Sequence, residues 1–248
     1  MGLYCFFLTV GLLPISLYGQ QTDGSLEMGL AGEAYHILQK QLETAKQHPE
    51  SPLQIAIGHL ELGAYYHSLG LYTEALAQYN FALEQLVHHP DDMLYAELNN
   101  NIGKVYLSLS NFELADQYFE ETKAVCEQLG DKNGLATSLG LLGASHEKQS
   151  EYEEALEDQR RSLALFKELR DDLGTALTNE NIGSIYEDLE QFDLAYDYFN
   201  RAYGHLKGTG TEAEANVLNN LGDVFRKRGE YPSALEKTTL ALELAIQI

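Results

Sequence analysis

A period of forty residues governs this chain. An aliphatic–glycine pair recurs as Leu62-Gly63, Ile102-Gly103, Leu142-Gly143, Ile182-Gly183 and Leu221-Gly222, at spacings of 40, 40, 40 and 39. Three residues after each glycine stands Tyr66, Tyr106, His146, Tyr186 or Phe225. Nine after it comes Tyr72, Phe112, Tyr152, Phe192 or Tyr231, and twelve after it comes alanine in every copy: Ala75, Ala115, Ala155, Ala195, Ala234. Seven residues further on stands a small residue: Ala82, Thr122, Ser162, Ala202 or Ala241. A chain with this period is a stack of small units, none of which can bury its own apolar face alone.

Each unit reads as two antiparallel helices. The first carries the aliphatic–glycine pair among apolar residues at helical spacing. A turn follows at Gly70, Ser110, Ser150, Glu190 or Gly229, and the second helix begins at the aromatic. Small residues at the glycine and alanine positions let helix axes approach, and aromatics fill the groove between successive pairs. Turns between units are expected at His89-Pro90-Asp91, at Gly130 to Asn133, at Asp171-Asp172 and at Gly208 to Thr211.

This pattern resembles the tetratricopeptide repeat (TPR) family over about residues 55–248, in five copies: about 56–95, 96–135, 136–175, 176–214 and 215–248. The resemblance implies an all-α, right-handed superhelical solenoid of antiparallel helix pairs. The family's early Trp position holds His59, Asn99, Leu139, Asn179 and Leu218, and the second-helix aromatic is replaced by Gln159 and Thr238 in two copies. The closing proline is missing. The extended form, seen in Leu129-Gly130-Asp131-Lys132-Asn133-Gly134-Leu135-Ala136, is similar to the repeats of kinesin light chain, Pins-type adaptors and bacterial peptide-sensing regulators. Those families bind peptides or protein segments in the groove, so the resemblance implies a protein or peptide partner here.

The ends differ from the repeats. Residues 1–20 carry no charged side chain, and Leu3 to Leu13 is almost wholly apolar before Pro14. This predicts a secretory signal peptide over residues 1–20 and an exported, periplasmic or extracellular, mature chain. The alternatives are an uncleaved N-terminal helix and a cytoplasmic location. Residues 21–54 read as an N-terminal helix or cap, with Leu26 to Gln47 helical; this helix could be the second of a degenerate earlier repeat. At the other end, Leu235, Leu240, Leu242, Leu244, Ile246 and Ile248 crowd the last helix. Solenoids normally finish in a polar cap, so this end implies self-association, a further domain or a docked partner.

Composition excludes several functions. Sixteen Lys and Arg against 38 Asp and Glu give a formal net charge of -22. Such a chain is ill suited to neutralise phosphates, so no nucleic acid is expected. It is equally ill suited to an anionic membrane surface, and no membrane insertion of the mature chain is expected. Two cysteines are too few for a disulfide framework. His88-His89-Pro90-Asp91-Asp92 lies in a turn without the spacing of a metal site. His146-Glu147 lacks the second His of a zinc protease motif, Gly208-Thr209-Gly210 lacks a following Gly-Lys, and lone Cys126 sits on a second helix. No catalytic constellation, metal site or cofactor site is expected, and the chain reads as non-enzymatic.

One polar set remains. By the family resemblance, the first helices line the concave surface. The two positions before each aliphatic residue read Leu60-Glu61, Asn100-Asn101, Gly140-Leu141, Glu180-Asn181 and Asn219-Asn220; one turn later stand Ala64, Lys104, Ala144, Ser184 and Asp223. Asparagine is a mediocre helix former, so its recurrence mid-helix needs a reason. One reason is hydrogen bonding to an adjacent repeat or a water. The other is a ladder for an extended peptide, since an amide offers both donor and acceptor. The expected peptide-binding groove comprises Asn101, Asn181 and Asn220, supported by Asn100, Lys104 and Asn219. The expected function is a protein-interaction scaffold; the alternative is the extracytoplasmic sensory region of a longer signalling protein, such as a histidine kinase or regulator.

Overall fold

The computed structural model describes residues 24–47, 51–87 and 89–248. The expected signal peptide and His88 of the histidine turn lie outside the described residues. Eleven helices account for the regular structure of the described residues: α1 (Gly24–Lys46), α2 (Pro52–Ser68), α3 (Tyr72–Leu86), α4 (Asp92–Ser108), α5 (Phe112–Leu129), α6 (Lys132–Lys148), α7 (Tyr152–Leu169), α8 (Asp172–Asp188), α9 (Phe192–Leu206), α10 (Glu212–Lys227) and α11 (Tyr231–Gln247). The fold is all-α, with sequential helices packed as antiparallel pairs.

The helix boundaries follow the repeat's own chemistry. All five second helices start on the recurring aromatic: Tyr72, Phe112, Tyr152, Phe192 and Tyr231. The residue at each preceding turn has positive φ: Gly70 at 71°, Ser110 at 57°, Ser150 at 63°, Glu190 at 58° and Gly229 at 78°. That left-handed geometry suits glycine and strains the other three. Between units, Gly130 ends α5 in the left-handed conformation, and Asp131 caps α6 by accepting from the Asn133 amide. Arg170 and Asp171 repeat that arrangement between α7 and α8. Thr211 caps α10.

The chain divides into two compact units, residues 1–105 and 106–248, with the division inside α4. In the first, a Cβ on Gly63 would fall 2.5 Å from the Tyr79 ring, so only glycine lets α3 lay that aromatic on α2. Ala56, Ala75, Ala82 and Leu98 are fully buried there. Leu42 of α1 packs over Gly58 of α2 and is itself buried.

In the second unit the same joint recurs with different fillers. Phe199 covers Gly183, Gln159 covers Gly143 and Thr238 covers Gly222. The two departures from an aromatic are chemically provided for. Gln159 is fully buried, and its Nε2 donates to the Gly140 carbonyl at 2.9 Å. Thr238 Oγ1 donates to the Ala234 carbonyl at 3.0 Å. The early Trp positions are buried in all five copies across both units: His59, Asn99, Leu139, Asn179 and Leu218.

Candidate functional site

The expected groove residues lie on first helices: Asn100, Asn101 and Lys104 on α4, Asn181 on α8, Asn219 and Asn220 on α10. Their environments differ. Asn219 is exposed, Asn101, Lys104, Asn181 and Asn220 are half-buried, and Asn100 is 8% exposed.

In the first unit, Asn101 Nδ2 donates to the Glu97 carbonyl of its own helix at 3.1 Å, and Lys104 Nζ approaches Asn101 Oδ1 at 3.5 Å. Burial holds the Lys104 ammonium below the usual lysine range, opposed by the charge of Glu97. Glu97 is exposed as a residue, yet its carboxyl is desolvated among its neighbours. That desolvation pushes its pKa up, Lys104 partly offsets the rise, and Glu61 of α2 reinforces it. Burial raises Glu61 as well. The i, i+7 spacing puts Lys104 and Glu97 on one face of α4, where the Glu97 charge acts on the ammonium.

In the second unit, the amides tie neighbouring repeats together. Asn220 Nδ2 donates to Glu180 Oε1 at 2.8 Å, from α10 to α8. Asn181 Nδ2 reaches Gln159 Oε1 at 3.5 Å. Both bonds use the amide nitrogen. Among the described residues, no donor meets the Oδ1 of either side chain. Burial drives the Glu180 carboxyl up to about 7, partly offset by the bond from Asn220. Glu147 of α6 is also driven up to about 7 by burial, opposed by Lys148 and reinforced by Asp188. Toward the ends of α8 and α10, Lys227 bonds Glu187 at 2.6 Å, and Arg226 pairs with Asp223.

Sequence reasoning missed Gln159, Glu97 and Glu147. Gln159 shows only as a break in the aromatic pattern. Glu97 and Glu147 fall between the positions that define the repeat, where a surface glutamate and a desolvated one look alike.

Among the described residues no group of three or more His, Cys, Asp or Glu side chains could hold a metal ion. No described helix is long and apolar enough to cross a membrane. The one described cysteine, Cys126, is buried, and burial pushes its thiol up to about 11.

The helix pairs, their glycine joints and the polar first-helix faces coincide with one family. Its tetratricopeptide repeat description matches residues 54–128, 94–168 and 172–247. The chain belongs to the TPR family. TPR domains are generally protein- and peptide-binding scaffolds without enzymatic activity. Comparison with curated protein sequences returns no match. Among solved structures, a Rap protein complexed with competence and sporulation factor is similar at a TM-score of 0.73 and 16% identity, covering 92% of this chain and 67% of that one. The Rap conjugation gene regulator of plasmid pLS20, complexed with the Phr* peptide, is similar at 0.72 and 18%, covering 81% and 56%. Kinesin light chain-type TPR-like repeats from Podosopora anserina give 0.61 and 12%, covering 79% and 97%. At these identities the likeness shows the shared fold alone.

Proposed function

We propose that this TPR chain is a non-enzymatic scaffold whose first-helix faces bind an extended segment of a peptide or protein partner. The observation that carries the reading is the use of the two asparagines in the second unit. Asn181 and Asn220 each commit Nδ2 to a neighbouring repeat, and among the described residues no donor meets their Oδ1. An acceptor fixed in this way is oriented before any ligand arrives, and a peptide N–H can meet it at little further cost in side-chain entropy. Asn101 on α4 supplies the corresponding amide in the first unit. Asn100 and Lys104 support it there, and Asn219 does so beside Asn220. The Rap protein solved with the Phr* peptide belongs to the same fold, which is consistent with this use of it. The chain is exported in this reading, because residues 1–20 are uncharged and apolar.

The test is capture of peptides by the immobilised full chain from a random-sequence peptide library, run in parallel with the Asn101→Ala, Asn181→Ala double variant. Retained peptides that the double variant binds about tenfold more weakly support the proposal. Equal retention by both chains, with a lowered melting temperature in the variant, assigns these amides to repeat packing instead.

A further inference from the structure

Two arginines of the second unit are held by tyrosines rather than by carboxylates. Arg160 of α7 donates from Nη2 to the Tyr186 hydroxyl of α8 at 3.1 Å. Tyr186 stacks on Tyr198 of α9, with ring centroids 5.5 Å apart. The Arg201 guanidinium, also of α9, lies over the Tyr198 ring, 4.7 Å from its centroid. A chain of contacts thus joins guanidiniums from two successive second helices through one tyrosine pair. Tyr186 is buried and Tyr198 half-buried, whereas both arginines are exposed.

Neither guanidinium is neutralised. Asp197 precedes Arg201 by four residues and Glu157 precedes Arg160 by three, spacings at which helical ion pairs form. Among the described residues, neither arginine pairs with a carboxylate; each is turned to a phenol ring or hydroxyl instead. Arg226 and Arg228 of the same unit behave otherwise: Arg226 pairs with Asp223, and Arg228 Nε meets Glu230 at 2.8 Å. Nor does a tyrosine pair require arginine. Tyr106 stacks on Tyr118 at 5.7 Å, and the positions corresponding to Arg160 and Arg201 there hold Asn80 and Glu121. In a chain with 16 basic residues against 38 acidic ones, two such arginines are cations still open to an outside anion.

We propose that this patch is a docking surface for a partner protein that presents two carboxylates beside an apolar contact. It lies on the second helices and does not depend on the first-helix reading. A guanidinium fork receives a carboxylate through two parallel N–H donors. Resting each arginine on a tyrosine orients it before the partner arrives, which lowers the ordering cost of binding. Tyrosine and arginine are the side chains enriched where protein interfaces hold most strongly, and the tyrosine rings supply the apolar contact. A phosphate fits less well, because it concentrates its charge near Glu157 and Asp197, whereas two separate carboxylates need one guanidinium each. The net charge of -22 repels an acidic chain at a distance, but at physiological ionic strength that repulsion is screened beyond about 8 Å.

The experiment uses the immobilised full chain and capped random nonapeptides that contain two glutamates and two leucines. Matched sets replace both glutamates by glutamine or by phosphoserine. The glutamate set should be retained about tenfold more than the glutamine set. Arg160→Gln with Arg201→Gln should abolish that difference, and Arg201→Gln alone should reduce it about threefold. Arg201 donates no hydrogen bond among the described residues, so the single variant should keep the parent's melting temperature. Asn101→Ala with Asn181→Ala should leave the difference intact. Equal retention of the glutamate and glutamine sets overturns the proposal, as does a difference that the arginine variants keep or the asparagine variant removes. Preference for phosphoserine over glutamate overturns it in favour of a phosphate site. A mass in solution that falls on Arg201→Gln overturns it in favour of a second copy of the chain. The first-helix reading survives each of these failures.

Discussion

Asn220 reaches back forty residues to Glu180: its Nδ2 donates to Glu180 Oε1 at 2.8 Å, one repeat's first helix holding the preceding one. The bond joins a recurring asparagine to a carboxylate that burial has driven up to about 7. It therefore links the stability of the array to the same surface that is proposed to meet a ligand.

The sign of the pH dependence follows. A carboxyl whose folded-state pKa is raised to about 7 binds its proton more tightly folded than unfolded, where the value is near 4.5. The stability it contributes is full below pH of about 4.5 and is lost as the pH rises through about 7. Glu147 behaves alike. The melting temperature of the Glu147→Gln, Glu180→Gln variant should fall less between pH 5 and pH 8 than that of the parent, and should exceed the parent's at pH 8. Parallel profiles for the two chains would refute the assignment.

The asparagines should separate in thermal melts. Asn220→Ala removes the hydrogen bond that the half-buried Glu180 carboxylate receives from Nδ2, and should cost about 1–3 kcal/mol at pH 8. Asn101→Ala loses a bond to its own helix and a long contact with Lys104, and should leave the melting temperature within about 2 °C. Scanning calorimetry of the two single variants at pH 8 checks the order.

Glycines divide by what lies above them. A Cβ on Gly183 would meet the Phe199 ring at 2.7 Å, so Gly183→Ala should destabilise by about 1–3 kcal/mol. Gly204, inside α9, has nothing within 4 Å of that position, so Gly204→Ala should stabilise by about 0.5–1 kcal/mol. Urea midpoints for the pair read both signs in one experiment.

The turns, the helix starts and the glycine joints were legible in the sequence because each is a local steric requirement repeated five times. Tyr72, Phe112, Tyr152, Phe192 and Tyr231 open helices because a turn of left-handed geometry precedes each of them. The family resemblance pointed to the first helices as the place to look for a site. The partners of individual polar side chains were not legible. Asn101, Asn181 and Asn220 share one offset, yet one bonds its own helix, one a buried glutamine and one a glutamate. What Asn181 and Asn220 meet depends on residues 22 and 40 positions away that the repeat leaves free to vary, so identical offsets acquire different chemistry.

Export is tested apart from binding. Mass spectrometry of the protein from its native source should find a mature amino terminus near Gln20. An intact Met1 in a cytosolic fraction would contradict it.

The exposed face of α11 offers a further check. Leu235 is 69% exposed and Leu242 is 61% exposed, whereas Tyr196 and Tyr203, at the corresponding positions of α9, pack against the core. Of the self-association, further domain or docked partner that the sequence implies at this end, self-association is the one that the mass in solution tests. Light scattering of the full chain should show a mass that rises with concentration, and Leu235→Lys with Leu242→Lys should hold it at 27.7 kDa, or at the mature mass if the leader is removed. A constant monomer mass for the parent would count against this.

The most direct test of peptide binding by the first helices is an amide chemical-shift map of the chain with a peptide captured from the library. The account predicts that the perturbed amides cluster on the first helices α2, α4, α6, α8 and α10, including Asn101 or the Asn181–Asn220 pair. Perturbations confined to the second helices α3, α5, α7, α9 and α11 would contradict it.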